Sequence, residues 1–174
     1  TAFGLSALTA NTTGDYNTAS GRRSLYTNTT GDNTTASGFY SLYNTTGSYN
    51  AGFGSWSLFE NTTGTNNTAS GYYSLYSNTT GTNNTGLGKN SRASAVNATN
   101  QTVIGYEATG QADNSVVLGN DSVTAVYMAE DSGAKVYAGE GSFTGDMTIG
   151  GDVNVSSDAR LKSNILSLGS TLSK

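Results

Sequence analysis

The chain has 174 residues, enough for one ordinary domain, yet only 11% are charged and 34% hydrophobic. Its net charge of −4 with eight Lys plus Arg leaves no basic stripe for nucleic acid, and no apolar run approaches the roughly 20 residues of a membrane helix. Cysteine and histidine are both absent, which removes disulfides, thiolates and the commonest acid–base group, and with them most enzyme mechanisms and any expected cofactor.

Polar, weakly charged chains stay disordered unless something regular organises them. Aromatic residues at 10%, mostly tyrosine, point instead to burial by stacking copies of one small unit. Proline is absent, which suits a backbone whose amides nearly all enter ladders. The chain opens at Thr1 without a signal peptide, the expectation for a mature or trimmed product. It also opens in mid-unit, because Ala2-Phe3-Gly4-Leu5-Ser6-Ala7-Leu8 fits the second half of the repeat that follows. The expected consequence is an open edge, met either by a longer upstream array or by another subunit stacked head-to-tail.

Asn-Thr-Thr-Gly begins at Asn11, Asn28, Asn44, Asn61 and Asn78, an even spacing in which only the interval from Asn28 to Asn44 is one position shorter. Each unit carries two turn signals, Thr-Thr-Gly and a later glycine (Gly21, Gly38, Gly54, Gly71, Gly88), and no helix-length amphipathic window survives between them. The pattern predicts two short strands and two turns per coil: an all-β fold, a β-roll or β-solenoid of stacked 14–17-residue coils. Leu25, Leu42, Leu58 and Leu75 then form an inward ladder, and Ala19, Ala36, Gly52, Ala69 and Gly86 a second one of small residues. Tyr26, Tyr43, Phe59 and Tyr76 follow the leucines as an aromatic rank. Such a rank either packs between subunits, which is favoured, or stacks on sugars. The variable pairs Arg22-Arg23, Phe39-Tyr40, Ser55-Trp56 and Tyr72-Tyr73 are expected to face solvent.

The repeat block occupies residues 1–96. Over 97–122 the unit shortens, with Gly105-Tyr106-Glu107-Ala108 and Gly119-Asn120-Asp121-Ser122 recurring at a tighter interval than before. Residues 123–156 read as a thin β-stalk: Val123 to Ala138 is apolar and β-branched enough for one or two strands, and Met147-Thr148-Ile149 and Val153-Asn154-Val155 alternate at period two around Gly150-Gly151. Residues 157–174 place Leu161, Ile165, Leu168 and Leu172 at helical spacing, the start of a helix or strand.

Two features resemble known families. The Gly-x-x-Ser/Ala coils with Asn turns resemble the β-roll heads of trimeric autotransporter adhesins and related phage tail-fibre repeats. Ser157-Asp158-Ala159-Arg160-Leu161-Lys162-Ser163-Asn164-Ile165 is similar to the opening of the endosialidase-type intramolecular chaperone. Both resemblances imply a homotrimer. The second implies self-cleavage, with Ser157 as nucleophile, Lys162 as its base and Asp158 beside them. The chain, however, runs on through the expected cut and holds only the opening of that domain, from Ser157 to Lys174. Salt-bridging by Arg160 and Lys162 is the plainer alternative.

Twelve Asn-x-Ser/Thr sequons are glycosylation candidates: Asn11, Asn28, Asn33, Asn44, Asn61, Asn66, Asn78, Asn83, Asn97, Asn100, Asn120 and Asn154. Asparagines stacked in turns are the competing explanation. One turn slot reads Asp15, Asp32, Ser48, Thr65, Thr82, so a calcium carboxylate is not retained, and no metal is expected. These features lead to the expectation of an extracellular structural or adhesive fibre, on a cell surface or a virion. Its expected partners are itself and a host-surface receptor or glycan. An autoproteolytic precursor and a Thr-rich ice-binding solenoid are the alternatives.

Overall fold

A computed structural model describes residues 1–126. Eight short strands run through it: β1 Ala2–Phe3, β2 Thr18–Ser20, β3 Thr35–Ser37, β4 Ala51–Phe53, β5 Thr68–Ser70, β6 Thr85–Leu87, β7 Gln101–Ile104 and β8 Ser115–Leu118. They form one sheet in sequence order, every neighbouring pair parallel. Ala2, Ala19, Ala36, Gly52, Ala69, Gly86, Val103 and Val117 lie in one register column. The described residues are therefore an all-β parallel solenoid of about seven coils, and no helix occurs among them. Each coil advances by the strand spacing, about 4.8 Å.

The Thr-Ala-Ser strand explains its own burial. Successive side chains alternate faces, so the central small residue points inward and its neighbours outward. Ala19, Ala36 and Ala69 are fully buried, opposite Leu25, Leu42, Leu58 and Leu75. Where the small slot is glycine the leucine closes in further. A Cβ on Gly52 would lie 3.1 Å from Leu42 Cδ1.

The expected second strand does not form. The leucines of the Ser-Leu-aromatic segment are left-handed, with φ of 50° at Leu25, 51° at Leu42, 48° at Leu58 and 47° at Leu75, and the segment is a turn. It still ladders: Leu25 N donates to Ser41 O (3.1 Å), Leu42 N to Ser57 O (2.9 Å) and Leu58 N to Ser74 O (3.0 Å). Left-handed backbone is costly for a branched side chain. Here the inter-coil bonds and leucine burial hold it.

The interior is as polar as it is apolar. Asn17, Asn50, Asn67 and Asn84 are buried in one column, and each side-chain oxygen accepts the backbone N–H of the coil beyond: Thr34, Asn67, Asn84 and Gln101, all at 3.0 Å. Asn28, Asn61 and Asn78 form another, donating to Gly31 O, Gly64 O and Gly81 O within their own turns. Serine contributes a third, with Ser41–Ser57 at 2.9 Å and Ser74–Ser91 at 2.8 Å. Among the described residues no buried side-chain nitrogen or oxygen lacks a partner, as a polar core requires.

The one short repeat is absorbed inside the turn. Asn61 Nδ2 donates to Thr45 Oγ1 (2.9 Å), so Thr45, not Asn44, fills the buried slot. The coil from Gly86 to Val103 keeps the full length of the coils before it, and the sheet crosses residue 96 without a break; the tighter coil first appears between β7 and β8. Of the expected β-stalk only residues 123–126 are described, and they form no strand; the remainder and the C-terminal segment fall outside the described residues.

Candidate functional site

One side of the solenoid carries an aromatic ridge. The ladder places Tyr26, Tyr43, Phe59 and Tyr76 at successive levels, and their rings stack. Centroids are 5.1 Å apart for Tyr26–Tyr43, 5.2 Å for Tyr43–Phe59 and 5.2 Å for Phe59–Tyr76, with interplanar angles of 3°, 15° and 10°. Each ring follows a buried leucine, so the leucine column fixes the ring column.

A second rank runs beside it. Tyr40 and Trp56 stack at 4.6 Å and 3°, and Trp56 and Tyr73 at 5.8 Å. Short contacts tie the ranks together: Tyr40–Tyr43 at 5.0 Å, Trp56–Phe59 at 4.7 Å and Tyr73–Tyr76 at 4.8 Å. Tyr40, Trp56 and Tyr73 are thus half-buried ridge members rather than the solvent-facing residues the sequence led us to expect. Their backbone explains the placement. Arg23, Tyr40, Trp56 and Tyr73 all have φ between 56° and 62°, which turns the side chain toward the residue three positions on. The first members of those pairs divide: Arg22 and Tyr72 are exposed, while Phe39 packs edge-on against Tyr40 (4.4 Å) and Trp56 (5.7 Å).

Cations cap one end. The Arg23 guanidinium lies 5.5 Å from the Tyr40 ring centre and 5.7 Å from that of Tyr26, and donates to the Tyr40 hydroxyl. Arg22 sits 5.6 Å from the Phe39 ring. At the opposite end burial, then the Glu60 charge, raises the Tyr76 pKa above the ordinary tyrosine value. Partial burial, and then the neighbouring Tyr72, do the same at Tyr73. The ridge therefore has guanidinium groups at one end and the Glu60 carboxylate beside Tyr76 at the other.

The geometry bears on its chemistry. Inner rings are covered face to face by their neighbours, so the ridge presents edges and hydroxyls outward. Ring faces are what a sugar stacks on, whereas edges and hydroxyls are what a packed protein interface uses.

The glycosylation candidates separate into classes. Asn28, Asn61 and Asn78 are buried, with their side-chain nitrogens donating to carbonyls. Each of those nitrogens donates twice, so a sugar would replace one N–H that is in use, and it has no room in the folded coil. Asn11, Asn44 and Asn120 are half-buried, and Asn33, Asn66, Asn83, Asn97 and Asn100 are exposed. Asn154, Ser157, Asp158 and Lys162 lie outside the described residues. Among the described residues no group of three or more acidic, His or Cys side chains could hold a metal ion, and no helix is long and apolar enough to cross a membrane.

The second aromatic rank and the buried Asn17–Asn84 column were not read from sequence. A signal for each was present: an aromatic three residues before another, and an asparagine regularly preceding the strand. No family model matches the chain, and no curated protein or solved structure matches it. The class that the fold itself defines is the parallel β-solenoid.

Proposed function

We propose that the chain is a structural and adhesive subunit of an extracellular fibre, assembled as a homotrimer at a cell surface or on a virion. The carrying observation is the cross-linked aromatic ridge from Tyr26 to Tyr76, half-exposed along four coils and offering edges rather than ring faces. Residues of this type, set in a continuous strip on a rigid ladder, suit a long protein–protein contact. The resemblance to trimeric adhesin heads and tail fibres supports the same reading, which extends to head-to-tail stacking into a filament, with a receptor or glycan bound along the assembled fibre. Sedimentation equilibrium of the full chain tests it. Trimers are expected, Trp56→Ala with Tyr43→Ser should weaken them, and a concentration-independent monomer would sink the proposal. Electron micrographs showing only compact single particles would remove the filament.

Self-cleavage belongs to the same reading. Ser157 as nucleophile and Lys162 as base, with Asp158 beside them, would release the C-terminal segment. Ser157→Ala should abolish processing in a full-length precursor, and unchanged processing would end that role.

One observation favours a second reading, ice binding. Thr18, Thr35, Thr68, Thr85 and Thr102 form an outward column on the sheet itself, broken by Ala51 and flanked in the first coils by Ser20 and Ser37. Phe53 interrupts the flanking column between Ser37 and Ser70. Absence of thermal hysteresis at millimolar protein would dispose of it.

A further inference from the structure

Most full coils encode two asparagines that satisfy the same sequon and meet opposite fates. One, typified by Asn61, is buried, and its amide is consumed by the turn. The other stands just before the strand, in a column hydrogen-bonded level to level. Asn33 N donates to Asp15 O (2.9 Å), Tyr49 N to Asp32 O (2.9 Å), Asn66 N to Ser48 O (3.3 Å), Asn83 N to Thr65 O (3.1 Å) and Asn100 N to Thr82 O (2.9 Å). The column reads Tyr16, Asn33, Tyr49, Asn66, Asn83, Asn100, all left-handed (φ 52–59°) and all exposed. The asparagines are followed at the second position by Thr35, Thr68, Thr85 and Thr102, whose side chains point out of the sheet.

The two tyrosines are the anomaly. Asparagine tolerates left-handed backbone, whereas a bulky ring pays for it; coil closure imposes it here as at Tyr40, Trp56 and Tyr73, but those rings are packed in the ridge. Tyr16 and Tyr49 nevertheless stand there 84% and 60% exposed, one level either side of Asn33. Each tyrosine backbone therefore lies one level, about 4.8 Å along the axis, from that of Asn33, and its neighbours in the column are asparagines rather than other rings.

We infer that this column is a glycan-bearing rib, with Asn33 its principal site, and that the tyrosines flank the first sugar, whose apolar ring face they cover. The inference rests on the export assumed in the proposed function. In the reaction Asn33 Nδ2 loses a proton and bonds the anomeric carbon of a polyprenyl-phosphate-linked saccharide. The bond from that carbon to the phosphate oxygen breaks, and the lipid phosphate leaves. Thr35 supplies the hydroxyl that the acceptor motif requires. Asn66 and Asn83 extend the rib at adjacent levels, where two glycans crowd each other and occupancy is partial. Asn100 is less available, since its Nδ2 already donates to Asn114 Oδ1 at 2.9 Å.

Glycopeptide mapping and intact mass of protein purified from the cells that make it provide the test. The expected result is saccharide on Asn33, partial occupancy at Asn66 and Asn83, and bare Asn28, Asn61 and Asn78. Thr35→Ala should remove one glycan mass, while Thr35→Ser keeps it. Ala51 occupies the equivalent strand position in β4, so the alanine variant folds. Tyr16→Ser with Tyr49→Ser should keep the glycan but abolish the gain in melting temperature that the glycosylated protein has over its enzymatically deglycosylated form. An unmodified Asn33, or sugar on any of the three buried asparagines, overturns the inference. Sedimentation of the same sample reports on the fibre separately, so a bare trimer and a glycosylated monomer are told apart.

Discussion

Asn66 and Asn67 are adjacent and chemically identical, so replacing each by alanine isolates what the buried ladder contributes. Asn67 is fully buried; its Oδ1 accepts the Asn84 N–H (3.0 Å) and its Nδ2 donates to Gly81 O (2.8 Å). Asn67→Ala leaves the Asn84 N–H without an acceptor in a dry interior. Gly81 O keeps one donor, Asn78 Nδ2 at 3.2 Å. An orphaned buried donor costs about 1–3 kcal/mol and a lost bond about 1 kcal/mol, so the expected loss is about 2–4 kcal/mol. At roughly 2–4 °C per kcal/mol for a chain of this size, the melting temperature should fall by roughly 5–15 °C. Asn66 is exposed, so Asn66→Ala forfeits only its tolerance of φ 58°, a loss of about 1 kcal/mol. Thermal unfolding followed by circular dichroism compares the two. Equal melting temperatures would refute the claim that the asparagine column carries the stacking.

Thr34 interrupts that column, and its Oγ1 reaches Gly47 O only at 3.4 Å. Thr34→Asn should therefore stabilise by about 0.5–1.5 kcal/mol, read as a higher urea midpoint. Gly38 has φ 141°, and an added Cβ would lie 2.5 Å from the carbonyl of Gly54. Backbone cannot step aside there, so Gly38→Ala should cost at least about 2 kcal/mol by the same urea assay. Burial of Tyr76, followed by the charge of Glu60, raises its pKa, so the folded state holds the phenol proton more tightly than the unfolded state. That contribution is complete below the unfolded value of about 10 and disappears as pH rises through the folded value. Melting temperature should hold steady through neutral pH and then drop in alkali, and Tyr76→Phe should blunt the drop.

The coil and its inward ladders were legible because repetition converts one local reading into many. Leu25 alone is ambiguous, but a leucine recurring once per repeat has one geometric explanation, and all four leucines are buried. What repetition does not reveal is backbone handedness. The Ser-Leu-Tyr segment reads as a strand, since serine, leucine and tyrosine suit one, and nothing in side-chain pattern marks a leucine at φ 50°. That strain is imposed by closure: each coil must return to its starting column, and three left-handed positions in it, at the asparagine, at the residue before serine and at the leucine, supply the bends. The same bends rotate Trp56 onto Phe59 and so create the second aromatic rank, which is why a solvent-facing assignment failed there. Sequon counting failed for a related reason. It treats Asn61 and Asn66 alike, although one closes a turn from within and the other stands outside it. Chemistry in this chain is therefore distributed by coil position rather than by residue type. A residue's level-to-level neighbours, one full coil away in sequence, decide its role more than the residues beside it.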